Sequence, residues 1–235
     1  MTKNESFLMS SSELSLMVAA SGIKNFLTFK AEVIPDRSQQ IRAISRLVNE
    51  GFLIQSATGL RPGPSLEYYL EIIANAPTSI IVKTKSEEAP PYCVYSTDWN
   101  QEIACIAPYE NRPDTYKIYT TTADELLVEL ETMHILPDFA DLSQTQSIEL
   151  NNSGFEDQVH GLMKIDSSET NDVTNLNIIS SVFRKYELKN KSCVSVMKIL
   201  SDTITNAIVF QDDVILRYSR ENILSWLRGP CNDFG

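Results

Sequence analysis

The residues of this 235-residue sequence that could do chemistry are two histidines, four cysteines and a few close carboxylate pairs. A Ser–His–acid triad needs His134 or His160. His134 falls where a helix ends and His160 within a short amphipathic helix, and neither lies in a nucleophile elbow or an H-E-x-x-H context. Both read as structural histidines. Glu87 and Glu88 precede Pro90-Pro91, Asp212 and Asp213 sit between two strand-like runs, and Asp138 and Asp141 lie on either side of Phe139. All read as solvated turn or loop residues. Cys93, Cys105, Cys193 and Cys231 are far apart, whereas zinc sites use closely paired ligands. The first three sit in apolar runs and read as small buried hydrophobes. No G-x-G-x-x-G or G-x-x-x-x-G-K loop is present. We therefore read no catalytic, metal-binding or cofactor-binding residue, and expect a protein that is not an enzyme and needs no cofactor.

Bulk properties narrow the classes further. The formal net charge is −11, and excess negative charge repels phosphate backbones and anionic lipid surfaces. Apolar residues make up 43%, enough for a sizeable core. No run approaches the ~18 apolar residues of a membrane helix. The N-terminus, with one Lys and an acid inside its apolar stretch, lacks the features of a signal peptide, so we expect a cytoplasmic protein.

The elements that would position any site read as follows. Ser10 to Glu13 is a capping box for a helix over about 11–21, ended by Gly22. Residues 26–33 alternate like a strand. A helix beginning near Asp36 carries Ile41, Ile44, Leu47 and Val48 as one stripe and ends at Gly51. Residues 59–64 read as a turn, and Leu66, Tyr69, Leu70 and Ile73 mark a helix ending near Ala76. Strand-like runs cover 79–85, 92–97, 102–109 and 116–120, and the short link 98–101 predicts an antiparallel hairpin. Thr122 to Glu125 caps a helix carrying Leu126, Leu127, Leu130 and Met133. Ser153 to Glu156 caps a short helix, 166–172 is an acidic loop, and a helix is expected over about 173–187. Strands at 192–200, 205–210 and 214–219 and a helix through Leu227 complete the chain.

Residues 116–130 and 213–227 match at an offset of 97: Thr122 falls on Ser219, Asp124 on Glu221, Leu126 on Ile223, Leu127 on Leu224 and Leu130 on Leu227. Such strand–cap–helix junctions look alike for physical reasons. The other reading is two related halves sharing a sheet. We expect one α+β domain over 1–235, with halves 1–134 and 153–235 joined by 135–152. Its central, mostly antiparallel sheet would relate the halves by a pseudo-two-fold, with helical bundles at the flanks. Trp99, at the tip of the predicted hairpin with Tyr92, Tyr95 and Tyr109 on the same hairpin, is either an interface anchor or folds back onto the sheet. The stretch 24–61 carries a local +3 and allows a winged-helix reading, against the acidity of the whole.

The succession ELSLMVAASGI (13–23), RLVNEGFL (46–53), PSLEYYLEIIANAPTSIIVKT (64–84), YKIYTTTADELLVEL (116–130) and VILRYSRENILSWL (214–227) resembles the EspG-like chaperones of type VII (ESX) secretion systems. The resemblance rests on element order and apolar positions over nearly the whole chain. It implies a central antiparallel sheet with a quasi-two-fold and helical bundles beside it. It also implies that a secreted helical substrate, WXG100- or LXG-like, is held soluble in the cytosol for export. The chain has no W-x-G turn and no Y-x-x-x-[DE] export signal, as suits a helper rather than a substrate. Carried over by position, partner contacts fall on Asp98, Trp99 and Asn100 of the hairpin loop and on the expected helix around Val182, Phe183 and Tyr186. A toxin-neutralising immunity protein and a DNA-binding regulator are the alternatives.

Overall fold

The computed structural model describes residues 6–24, 26, 37–84, 91–109, 112, 114–137, 179–201, 207–211 and 214–229. The chain is an α+β protein built on a nine-stranded antiparallel sheet. In chain order the elements are β1 (Phe7–Ser10), α1 (Ser11–Ser21), α2 (Arg37–Asn49), β2 (Leu53–Ser56), β3 (Gly59–Pro62), α3 (Pro64–Asn75), β4 (Thr78–Thr84), β5 (Tyr92–Ser96), β6 (Ile103–Pro108), β7 (Thr115–Thr121), α4 (Ala123–Thr132), β8 (Ile179–Glu187), β9 (Ser192–Ser201), β10 (Ala207–Gln211), β11 (Val214–Arg217) and α5 (Arg220–Arg228).

Strand order in the sheet is β1-β7-β6-β5-β4-β8-β9-β10-β11. Apart from β1 it is palindromic about the β4–β8 pair. Strands β4 to β7 form one meander, β8 to β11 another, and each is followed by a helix. The joining strands run antiparallel, with Thr78 opposite Glu187 and Thr84 opposite Ser181. Two like halves joined through an antiparallel pair are related by a local two-fold, so the offset repeat has a geometric counterpart. Thr122 and Ser219 are both N-caps, accepting from the amides of Glu125 and Asn222 at 3.2 and 3.1 Å. Leu126, Leu127 and Leu130 of α4 and Ile223, Leu224 and Leu227 of α5 share one core.

That core lies on one face of the sheet and spans both halves, including Ile80, Val82, Phe183, Met197, Ile199 and Val209. The helices α4 and α5 cover it and are tied by Asp124. Its carboxylate meets Arg228 at 2.8 Å and Arg220 at 3.4 Å. A second core covers the opposite face of the first meander. It holds Leu14 and Met17 of α1, Leu47 of α2, Leu66, Leu70 and Ile73 of α3, and Cys93, Tyr95 and Ile106 of the sheet. Complete alternation therefore gives strands β5 and β6 no solvent face, and both are buried almost throughout.

The capping boxes at Ser10–Glu13 and Thr122–Glu125 form as the spacing requires. Glu13 is buried and also receives Arg46 Nη1 at 2.8 Å, so the cap of α1 doubles as the anchor of α2. Gly51, at φ +74°, ends α2 in a Schellman motif: its amide bonds Val48 O and that of Phe52 bonds Leu47 O.

Three expectations need correction. Residues 59–62 are strand β3, paired with β2 through a turn at Ala57-Thr58, and only Gly63 and Pro64 serve the helix start. Gly63 is there because a Cβ would stand 1.9 Å from the carbonyl oxygen of Gly51. Residues 179–187 are the central strand β8, not the end of a helix. The spacing of Ile179, Val182 and Phe183 imitates a helical stripe, but β-branched and aromatic residues followed by the 188–191 turn form a hairpin with β9. Finally, only Leu47 of the α2 stripe is fully buried; Ile41 and Val48 are exposed. The expected strand over 26–33 (except Phe26) and the helix and loop expected between 153 and 172 lie outside the described residues, as do 138–152 of the connection.

Candidate functional site

The β5–β6 connection is a rigid exposed tip. Asp98 Oδ1 accepts the Asn100 amide at 2.9 Å and Asn100 Nδ2 at 3.1 Å, while its Oδ2 accepts Gln101 Nε2 at 3.2 Å. These donors, led by the Asn100 amide, hold the Asp98 carboxyl below the usual carboxylate range. Asp98 is thus a fixed anion whose turn is closed by its own side chain.

Trp99 takes the other course open to it. It is only 7% exposed, belongs to the α4–α5 core, and donates its indole N–H to Thr78 Oγ1 at 3.3 Å. Tyr92 and Tyr95 are buried in opposite cores, so the hairpin presents no aromatic patch. Asp98 and Asn100 face solvent or its edge; Trp99 props them from beneath.

Beside the tip, α3 and the β5–β6 connection form an open groove of about 410 Å³ lined by Tyr68, Glu71, Ile72, Asn75, Thr97, Gln101 and Glu102. Tyr68 donates its hydroxyl to Glu102 at 2.6 Å, which pushes the phenol pKa up to about 12, with burial adding to the shift. The groove therefore carries two carboxylates, Glu71 and Glu102, with a third, Asp98, at its rim. Its chemistry suits a basic or hydrogen-bond-donating group.

The second predicted cluster is divided by the pleat. Phe183 points into the α4–α5 core, packed edge-on against Trp226 at 6.4 Å. Val182 and Tyr186 stand on the other face, half-buried. They cannot form one contact surface with Phe183, because successive strand residues project to opposite faces.

Between Phe183 and Tyr186 lies a residue the sequence reading did not single out. Lys185 is 2% exposed, and its ammonium donates to Trp226 O at 2.9 Å and Gly229 O at 2.8 Å. It sits 5.3 Å from the Trp226 ring and 6.0 Å from that of Trp99. A cation at the carbonyl end of α5 meets the negative end of the helix dipole. The available signal was a lysine at an inward position of an alternating strand, hidden while the run was read as a helix.

Of the residues weighed for chemistry, His134 is the left-handed C′ residue after α4, at φ 54°. Cys93 and Cys105 are buried, with burial raising the Cys105 thiol well above its ordinary range, whereas Cys193, expected to be buried as well, is exposed. Among the described residues no three His, Cys, Asp or Glu side chains come together as a metal site. His160, Cys231 and the pairs Glu87/Glu88, Asp138/Asp141 and Asp212/Asp213 lie outside the described residues. No helix among the described residues is long and apolar enough to cross a membrane.

The site and fold together describe a sheet-based α+β protein with an acidic groove at one hairpin tip. No family model matches the chain, and no curated protein matches it significantly.

Proposed function

We propose that the chain is a non-enzymatic cytoplasmic adaptor that holds a helical type VII secretion substrate soluble for export. The observation that carries this reading is the architecture: two antiparallel meanders, each followed by a helix, joined about a local two-fold at β4–β8. That is the fold the EspG-like resemblance implies. The acidic groove beside the β5–β6 tip supports a binding role, because it offers a shaped, charged surface. In this reading Asp98 and Asn100 orient the substrate tip, and Glu71 and Glu102 receive its basic or amide groups. Val182 and Tyr186 belong to a separate, half-buried sheet face.

The test is co-expression with a helical-hairpin substrate encoded beside a secretion ATPase, followed by gel filtration at micromolar concentration. The reading requires co-elution, weakened by Glu71→Arg, a change on an α3 position facing the groove. Separate elution overturns it. Co-elution with a basic toxin, lost on the same charge reversal, would instead support the immunity reading.

A further inference from the structure

A different surface, remote in sequence from the tip, carries its own argument. Helix α2 buries Leu47 completely, yet Ile41 is 56% and Val48 40% exposed, with Ile44 half-buried between them. At about 100° per residue Ile41, Ile44 and Val48 fall on one strip that continues outward from Leu47. Single exposed apolar side chains are ordinary, but a contiguous strip along about two turns leaves apolar area uncovered. Leu60 on the adjoining β2–β3 hairpin is exposed as well.

The charges of α2 are three arginines, Arg37, Arg42 and Arg46, followed just past the helix end by one glutamate, Glu50. Arg46 is engaged by Glu13 and Glu50 at 2.8 and 2.9 Å. Arg37 and Arg42 on α2 and Arg61 on β3 are exposed and form no ion pair among the described residues. Arg37 lies at the helix start beside the Ile44–Val48 line, and Arg42 lies about 100° round from Ile41 on the other flank. Arg37 and Arg42 thus border the apolar strip with no carboxylate partner among the described residues.

We propose that the outward face of α2 is a docking surface for an amphipathic helix of another protein, with acidic residues flanking its apolar stripe. Anchors at i, i+3 and i+7 are the pattern by which one helix seats against another. Glutamates beside those anchors would meet Arg37 and Arg42, adding on-rate and register to the apolar contact. A nucleic-acid duplex uses the arginines but gains nothing from Ile41 and Val48, and it meets the repulsion of the rest of the chain. This surface does not depend on the groove, so either proposal can fail alone.

Fluorescence anisotropy with labelled synthetic helical peptides tests it. One peptide carries leucines at i, i+3, i+4 and i+7 with flanking glutamates, a second replaces the glutamates by lysines, and a short DNA duplex is the third probe. The expected result is micromolar binding of the glutamate peptide, roughly tenfold or more tighter than the lysine peptide and weakened by salt. Ile41→Ser with Val48→Ser should abolish that binding while leaving the circular dichroism and thermal midpoint unchanged. Arg37→Glu with Arg42→Glu should reverse the preference between peptides. Failure of the full chain to bind the glutamate peptide overturns the proposal, as does tighter binding of the duplex. So does a fall in thermal midpoint of the serine variant, which would mean the strip is covered by the chain itself. A concentration-dependent dimer dispersed by the serine substitutions assigns the strip to a second copy and equally overturns it.

Discussion

Individual side chains here serve mostly to close backbone ends and fix charges. His134 is the clearest case of a residue tolerated rather than favoured. It occupies a left-handed Schellman position, where its amide bonds Glu131 O and that of Ile135 bonds Leu130 O. Replacing it with glycine removes the Cβ penalty, and His134→Gly should stabilise the chain by about 0.5–1 kcal/mol, read as a higher denaturation midpoint. Tyr68 makes a second residue-scale prediction. Its hydrogen bond to Glu102, with burial behind it, raises its pKa to about 12. A raised folded value means that the bond stabilises the groove fully below the unfolded tyrosine pKa of about 10, and that this is lost as pH rises through 12. Carbon-13 NMR of labelled tyrosine rings should show Tyr68 among the rings that ionise late, beside Tyr119 and Tyr186, whose pKa values burial also raises, and Glu102→Gln should lower the Tyr68 midpoint alone. An assigned Tyr68 ring titrating near pH 10 in both proteins would remove Tyr68–Glu102 from the account.

Elements are defined as much by their junctions as by their interiors. The α2–hairpin–α3 unit depends on the approach of Gly63 to Gly51, where the Gly63 amide also bonds Phe52 O at 2.7 Å. Any side chain at 63 must push two backbone segments apart. Gly63→Ala should therefore cost about 1–3 kcal/mol, an overpacking penalty, measured by chemical denaturation. The same change at Gly229 meets only one helix carbonyl oxygen at 3.0 Å and serves as the milder control. These junctions were visible as residue types: Gly51 as a C′ glycine, Ser10 and Thr122 as caps, Pro64 as a helix start. The identity of β3 was hidden, because a Gly-Leu-Arg-Pro-Gly-Pro run has turn residues throughout and becomes a strand only by pairing with β2.

At the scale of the molecule, the β4–β8 pair makes the two meanders one sheet, and Phe183 sits at its centre. It pairs across to Val82 on one side and Met197 on the other, and its ring packs against Trp226. Truncation to alanine should cost about 3–5 kcal/mol, as for other buried phenylalanines. Because both halves meet there, Phe183→Ala should loosen both. Amide exchange in β5 and in β9 should quicken together while the chain still folds in milder conditions. Faster exchange confined to β8–β11 would show that the halves are stabilised separately. The Asp124 ion pairs between α4 and α5 are exposed, and surface pairs of this kind contribute about 1 kcal/mol or less. The shared core, not the charged seam, holds the helices on the sheet.

By itself the sequence determined what local rules decide: both capping boxes, the Gly51 stop, the 98–101 hairpin, the helix through Leu126 and Leu130, and the offset match of the two halves. It also determined which chemistries the residue types disfavour. It left open whether Trp99 anchors a partner or a core, and only the fold decided that, by supplying Thr78 and the α4–α5 core as its surroundings. It misassigned 179–187, because Ser181 and Lys185 point inward and Val182 and Tyr186 outward, so polarity does not follow the strand's alternation and the apolar residues that remain fit a helical spacing. The same misreading concealed Lys185, whose partners are carbonyls more than 40 residues away. Local backbone preferences act over a few residues and can be read in order. Contacts between distant segments exist only once the sheet has closed, and they decided the groove, the core tryptophans and the uncovered face of α2.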